Sequence, residues 1–218
     1  MTDRPSGPET LVRGVLHGLA EGRFVPGQRL SEPDLMARFA LGRSTVREGL
    51  GRLAAAGIVA LPPHRGAVVR FLDRRAARDV LLVSASLLGL AARQAAQAVA
   101  EGADPAPLQQ AVSAYDHAEG DRARARARYY RALIALGGNA ELDRLLPALQ
   151  VPLIRAQLRG YRPPGRTRRG AMVAAIVAGQ PDRAEAEALG YVREFIAALA
   201  QAPDSAFAPD LEQAEREF

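Results

Sequence analysis

The sequence predicts a mostly α-helical protein in two parts. An N-terminal winged helix-turn-helix with a small β-hairpin is followed by an all-α bundle of six to seven helices. Three observations predict it. The first 70 residues are short apolar-periodic segments separated by turn signals, in the order helix, helix, tight turn, helix, β-hairpin. After Asp73 the β-like runs stop, and Ala/Leu-rich segments divided by Gly- and Pro-containing breakers take over. The charge is also uneven: residues 1–70 hold 10 Arg against 6 acids, and residues 71–218 hold 19 Arg against 18 acids. A small basic module on a nearly neutral body suits a polyanion-binding domain attached to something else.

The elements follow in order. Thr10 can cap a first helix whose apolar stripe is Leu11, Val12, Val15, Leu16 and Leu19, ended by Gly22. Val25-Pro-Gly-Gln28 is a turn, and Gln28–Leu30 reads as a brief strand. Ser31 is a good N-cap, with Glu32, Pro33 and Asp34 in the first turn behind it. That helix buries Leu35, Met36 and Phe39 and breaks at Gly42. The next carries Val46, Leu50 and Leu53 on one side. Ile58–Leu61 and Ala67–Phe71 are short β-like runs flanking the tip Pro62-Pro-His-Arg-Gly66. Six helical segments then span 74–100, 105–118, 121–137, 140–160, 167–179 and 182–201. The expected domains are an N-terminal tail at 1–9, a winged helix at 10–71, a helical domain at 72–202, and an acidic tail or short helix at 203–218.

Composition excludes several chemistries. Of 218 residues, 48% are hydrophobic and 24% charged, as in ordinary globular proteins. All 29 basic residues are Arg, so there is no Walker A lysine, Schiff base or lysine general base. No Cys is present, which removes disulfides, thiol nucleophiles and thiolate metal sites. No nucleophile–base pair, paired catalytic carboxylates or phosphate-cradling loop is evident, and an enzyme is not expected. Met1–Glu9 is polar and lacks a secretory core. The longest apolar stretch, Val80–Ala92, is about 13 residues, below the ~20 of a membrane span. A cytoplasmic location is expected.

Arg43 and Arg47 stand at i and i+4, neighbours on one helix face beside the Val46/Leu50/Leu53 stripe. Two forked guanidiniums there suit guanine edges in a major groove. Ser44 and Thr45 can reach phosphates, and Arg52 follows on the same helix. His64, Arg65 and Gly66 would form a wing tip near the minor groove or backbone. The spacing alone favours a solvated helix face for the arginines and an ordinary hairpin loop for the tip.

Val25-Pro-Gly-Gln-Arg-Leu-Ser-Glu-Pro-Asp-Leu35, Arg43-Ser-Thr-Val-Arg-Glu-Gly-Leu-Gly-Arg-Leu53, Ala56-Gly-Ile-Val59 and His64-Arg-Gly-Ala-Val-Val69 together resemble the DNA-binding domain of GntR-family bacterial repressors. The resemblance implies that Arg43 and Arg47 read guanine and that Gly66 lies at the wing tip. Gly42 departs from the Ser or Thr usual before the recognition helix, so that phosphate contact is expected to be missing. Tyr129-Tyr-Arg-Ala-Leu-Ile-Ala-Leu-Gly-Gly-Asn-Ala-Glu-Leu142 and Met172-Val-Ala-Ala-Ile-Val-Ala-Gly-Gln180 are similar to the FCD ligand-sensing domain of the FadR-like branch. The branch fused to an aminotransferase is excluded by the absence of lysine.

Many FCD domains hold a divalent metal with one Asp and three His. The resemblance puts those positions on Arg126, Tyr130, Arg169 and Tyr191, none an ordinary divalent-metal ligand, so no metal is expected. Few acids lie near the two arginines in sequence, and none within ten residues of Arg169. If both arginines face inward, a small anionic effector, carboxylate or phosphate, is the expected partner, with Tyr130 and Tyr191 as flat hydroxyl-bearing walls. The alternative is that they turn outward or pair with distant acids such as Glu187 or Glu194. The whole reads as a homodimeric, ligand-responsive repressor on double-stranded operator DNA. The other reading is a constitutive DNA-binding regulator with a ligandless helical domain.

Overall fold

The structure is a computed structural model that describes residues 6–63, 66–119, 121–146, 149–159 and 166–209. In chain order the elements are α1 (Gly7–Glu21), β1 (Arg29–Leu30), α2 (Glu32–Phe39), α3 (Arg43–Ala55), β2 (Val59–Ala60), β3 (Ala67–Val69), α4 (Arg74–Ala100), α5 (Ala106–Asp116), α6 (Arg122–Gly137), α7 (Ala140–Leu145), α8 (Val151–Gln157), α9 (Arg166–Val177) and α10 (Pro181–Gln201), with a short 3-10 turn at Asp204–Ala206. The mostly α fold with a small antiparallel wing is the class the sequence predicts. The chain divides into two compact units.

The first unit is the winged helix. Leu11, Val15, Val46 and Leu53 are fully buried and join α1 to α3. Ser31 caps α2, its hydroxyl accepting from the Asp34 N–H at 3.5 Å. Thr10 does not cap α1. The helix starts earlier, and the Thr10 hydroxyl donates back to the Ser6 carbonyl at 3.1 Å. β3 is the centre of a three-stranded antiparallel sheet in the order β1-β3-β2, with Leu30 opposite Ala67 and Ala60 opposite Val68.

This unit also takes in residues 149–159 and 203–209, where the sequence predicts part of the helical domain and a tail. The expected single helix over 140–160 is two, α7 and α8. Pro152 lies in the first turn of α8, where its missing N–H costs nothing. α8 packs on α1. Gln157 fastens it: its Nε2 donates to Leu72 O at 2.9 Å and to Ala206 O at 3.0 Å, and its Oε1 accepts from Leu72 N at 3.1 Å. Arg159 donates to Leu19 O. Gly57, at φ +67°, leaves room for the Gln150 amide, which a Cβ there would overlap. Phe207 is buried, and Ala208 N donates to Leu72 O at 3.1 Å.

The second unit is the helical bundle of α4 to α7, α9 and α10. Its axis is α4, packed on α10, α6 and α9. Ala91, Ala92, Ala95 and Ala96 are buried, and small residues let helices approach closely. Asp121 caps α6 through Arg124 N at 2.8 Å. Asn139 caps α7, and its amide donates to Gln94 Oε1 at 3.0 Å. By length and composition alone α4 could cross a membrane, because its apolar texture continues past Arg93. Its inner face, Leu81, Leu88, Ala92 and Ala96, is buried in the bundle as in a core helix.

Candidate nucleic-acid interface and effector site

In the first unit α2 and α3 form the helix-turn-helix. Burial of Val46, Leu50 and Leu53 turns the opposite face of α3 outward, leaving Arg43, Ser44, Arg47 and Arg52 exposed. Gly42 stands at the N-cap of α3 and supplies no side-chain cap bond to its first N–H groups. Thr45 is half-buried, its methyl filling the space beside Gly7 where a Cβ would lie, so its packing is with α1. Arg52 is bonded to Glu48 at 2.7 Å on its own helix. Arg47 donates through Nε to both carboxylate oxygens of Glu32, at 3.0 and 3.2 Å. An exposed ion pair of this kind is worth about 0–1 kcal/mol, so DNA can displace it.

Between α3 and the sheet lies an open groove of about 440 Å³, lined by Arg29, Ser31, Glu32, Arg47 and Gly66 among others. Gly66 has φ +72°, and the Arg29 guanidinium comes within 4 Å of the place its Cβ would take. The sequence reading missed Arg29 and Glu32 as members of this face. In sequence Arg29 belongs to a brief strand and Glu32 to the first turn of a helix, and no spacing rule links either to Arg47. His64 and Arg65, expected at the wing tip, lie outside the described residues.

In the second unit the inner face of α6 carries Tyr129, which is 1% exposed. Its ring stacks on Tyr115 of α5, centroids 6.1 Å apart, and meets Tyr130 at 4.9 Å. Arg169 on α9 is 5% exposed, with its guanidinium carbon 4.4 Å from the centroid of the Tyr115 ring. It donates to Asp116 of α5. Burial opposes the Arg169 charge, but the hydrogen bond and charge of Asp116 outweigh it and raise the guanidinium above its ordinary range. The neighbouring Arg168 faces the other way, bonded to Glu194 at 2.9 Å and Glu187 at 3.1 Å. Glu187 and Glu194 therefore serve Arg168, while Arg169 pairs with Asp116.

Of the four positions that the resemblance puts in place of metal ligands, Tyr130 touches Tyr129, Tyr191 and Arg169 both act electrostatically on Tyr129, and Arg126 is half-buried one turn before Tyr130. This donor set does not fit a divalent cation. A guanidinium has no lone pair to give. The Tyr129 phenol at the centre is held neutral, because burial pushes its pKa well above 10, helped by Tyr130 and Tyr191 and opposed by Arg169. Among the described residues no group of three or more His, Cys, Asp or Glu side chains converges. Two buried polar atoms here, the Tyr129 hydroxyl and the Arg169 Nε, have no hydrogen-bond partner among the described residues. An open groove of about 500 Å³ between α5 and α9 is lined by Val112, Asp116, Val173 and Val177 among others, so it reaches Asp116, the partner of Arg169.

Tyr129→Phe is expected to stabilise the ligand-free protein by about 1 kcal/mol, since a buried hydroxyl with no partner costs roughly that or more. The folded pKa is raised over the unfolded ~10, so above pH ~10 the unfolded chain ionises this phenol while the folded one keeps it neutral, and stability falls further as pH rises toward the folded pKa. Wild type should lose stability faster than Tyr129→Phe above pH ~10, as measured by urea unfolding at pH 8 and pH 11.

A helix-turn-helix with exposed forked cations on its second helix and a sheet at its side defines a winged-helix, DNA-binding architecture. The chain belongs to the GntR family of bacterial regulatory proteins, whose family model matches residues 9–69, with an FCD domain matched over residues 79–194. It is 31% identical over 91 residues to the HTH-type transcriptional repressor RspR of Escherichia coli K12, a match spanning 42% of this chain and 38% of that one. It is 27% identical over 203 residues to a probable D-xylose utilization operon transcriptional repressor of Paenarthrobacter nicotinovorans, covering 85% of both. In fold it is similar to a GntR transcriptional regulator from Rhodococcus sp. RHA1 (TM-score 0.74, 22% identity, 91% of this chain and 100% of that one). It is similar also to E. coli McbR/YncC (TM-score 0.75, 17% identity, 91% and 99%).

Proposed function

We propose that this chain is a cytoplasmic, homodimeric repressor that reads a pseudo-palindromic operator through Arg43 and Arg47, with its hold on DNA set by a small anion in the helical domain. It carries out no catalysis. For DNA reading, the supporting observation is the exposed face of α3, where both arginines project on the side opposite the buried Val46/Leu50/Leu53 stripe. A single winged helix reads few base pairs, and pairing two copies supplies specificity. Selection from a random duplex pool should return a site with guanine-containing half-sites about one helical turn apart. A pool that stays unenriched would overturn the reading.

For the effector, the carrying observation is the pair of buried atoms without acceptors, Tyr129 Oη and Arg169 Nε, with an open groove reaching Asp116, the partner of Arg169. A carboxylate or phosphate at that place accepts from both, gripped by a cation that Asp116 satisfies only in part. Arg126, Tyr130 and Tyr191 complete the proposed contacts, and no metal takes part. Thermal shift with inorganic phosphate and with small mono- and dicarboxylates should raise the melting temperature of wild type and not of Tyr129→Phe. The Arg169–Asp116 pair also favours a second reading, a constitutive regulator whose bundle is closed on itself, because it already compensates the buried charge. Absence of any shift across the anion series would select that second reading.

A further inference from the structure

We propose that Arg29 is a positioning residue for DNA recognition: when Arg47 leaves Glu32 for a base edge, Arg29 takes the Glu32 carboxylate over across the groove and neutralises it. This rests on the reading of Arg47 as a guanine contact and assigns a role to a side chain that reading does not use.

Local structure brings the three side chains to one groove. β1 alternates, so burial of Leu30, 3% exposed, turns Arg29 outward. Pairing with β3 fixes the strand: Arg29 lies opposite Val68, and Val69 N donates to Gln28 O at 2.8 Å. The guanidinium reaches toward Gly66, its Nε 3.6 Å from the place a Cβ would take there. Ser31 caps α2, so Glu32 stands at the first position of that helix, three residues from Arg29. Arg47 comes in from α3 and donates to Glu32 at 3.0 and 3.2 Å.

The charges in the groove are unequal. Its described lining holds two cations, Arg29 and Arg47, and one acid, Glu32. Arg47 has the acid, and Arg29 makes no ion pair with another described residue. Of the other arginines on α2 and α3, Arg38 lies over the Phe24 ring at 5.0 Å, Arg52 bonds Glu48 at 2.7 Å, and Arg43 faces DNA beside Arg47. Once Arg47 turns to a guanine, Glu32 is left with its charge among DNA phosphates, where like charges repel. Arg29 is then the cation remaining on the described lining. The Glu32 side chain is 32% exposed and Arg29 is exposed, so the exchange needs only side-chain rotation. The competing role, in which Arg29 grips a phosphate directly, leaves Glu32 uncompensated beside that phosphate.

A double-mutant cycle tests this, read by fluorescence anisotropy of the full chain on an operator duplex selected from the random pool. Arg29→Ala should weaken operator binding about tenfold in the wild-type background and less than about twofold in Glu32→Gln, where no carboxylate needs a partner. Arg29→Lys should keep most of the binding, because an ammonium also neutralises Glu32. An equal loss in both backgrounds, with a shallower salt dependence in each, would make Arg29 a phosphate contact and overturn the exchange. Full operator binding by Arg29→Ala would overturn it too. Arg47→Ala on the same duplexes separates the two readings. If that variant keeps full affinity and specificity, the Arg47 reading falls and the exchange with it. If it loses specificity while Arg29→Ala and Glu32→Gln act additively, only the exchange falls.

Discussion

Arg47→Ala is expected to weaken operator binding by about 1–3 kcal/mol, or ~5- to 150-fold, per half-site, and to relax base preference at one position of each half-site. The expectation comes from how α3 is seated. Val46, Leu50 and Leu53 fix its roll about its axis, so Arg47 projects outward and is not free to turn inward. In the free protein its Nε is engaged by Glu32 at 3.0 and 3.2 Å. The carboxylate must release the guanidinium or turn it edge-on before a guanine takes both donors. Glu32→Gln should therefore act oppositely on the two components of binding. Removing a negative charge beside the phosphates should strengthen non-specific binding, and losing the group that orients Arg47 should narrow the gap between operator and random duplex. Fluorescence anisotropy on both duplexes at two salt concentrations separates these effects. Full operator affinity and specificity in a folded Arg47→Ala protein would remove Arg47 from the reading face.

Asp116→Ala is expected to destabilise the helical unit by about 3 kcal/mol, at the low end of the ~3–5 kcal/mol seen when one partner of a buried pair is removed. The low end applies because the Asp116 side chain keeps 30% exposure, whereas that of Arg169 keeps 6%. The cost arises from leaving a guanidinium in apolar surroundings, between the Tyr115 ring and the α9 backbone, with no counter-charge. In a chain of this length that corresponds to a fall in melting temperature of roughly 6–12 °C by calorimetry. Asp116→Asn, which keeps an acceptor and loses the charge, should fall less. Added phosphate should recover part of the loss in Asp116→Ala if Arg169 grips an external anion, because a ligand bound only to the folded state stabilises it. An unchanged melting temperature in Asp116→Ala would mean that the pair contributes nothing.

How much of this was legible in the sequence differs between the two units. In the winged helix, local signals fixed the elements: Ser31 before Glu32-Pro-Asp, glycines after α1 and before α3, and prolines at the wing. They depend on neighbouring residues, so a linear reading finds them. The outward face of α3 was also legible, since an apolar stripe at helical spacing implies its opposite. Thr10 was misread because the earlier start of α1, with Pro8 in its first turn, outcompetes a lone hydroxyl as the helix boundary.

Other features depended on which segments meet. The sequence by itself determined the winged helix, the helical texture after Asp73, and the absence of lysine and cysteine chemistry. Only the tertiary structure decided that α8 and residues 203–209 fasten onto the winged helix through Gln157, that Glu32 engages Arg47 from another helix, and that Arg169 finds Asp116. That last partner lies 53 residues away, so no count of nearby acids could have revealed it. The physical reason is range. Caps, turns and helical stripes act within one or two turns of chain, whereas compensation of a buried charge is settled by whichever acid the packing of α5 against α9 brings beside it.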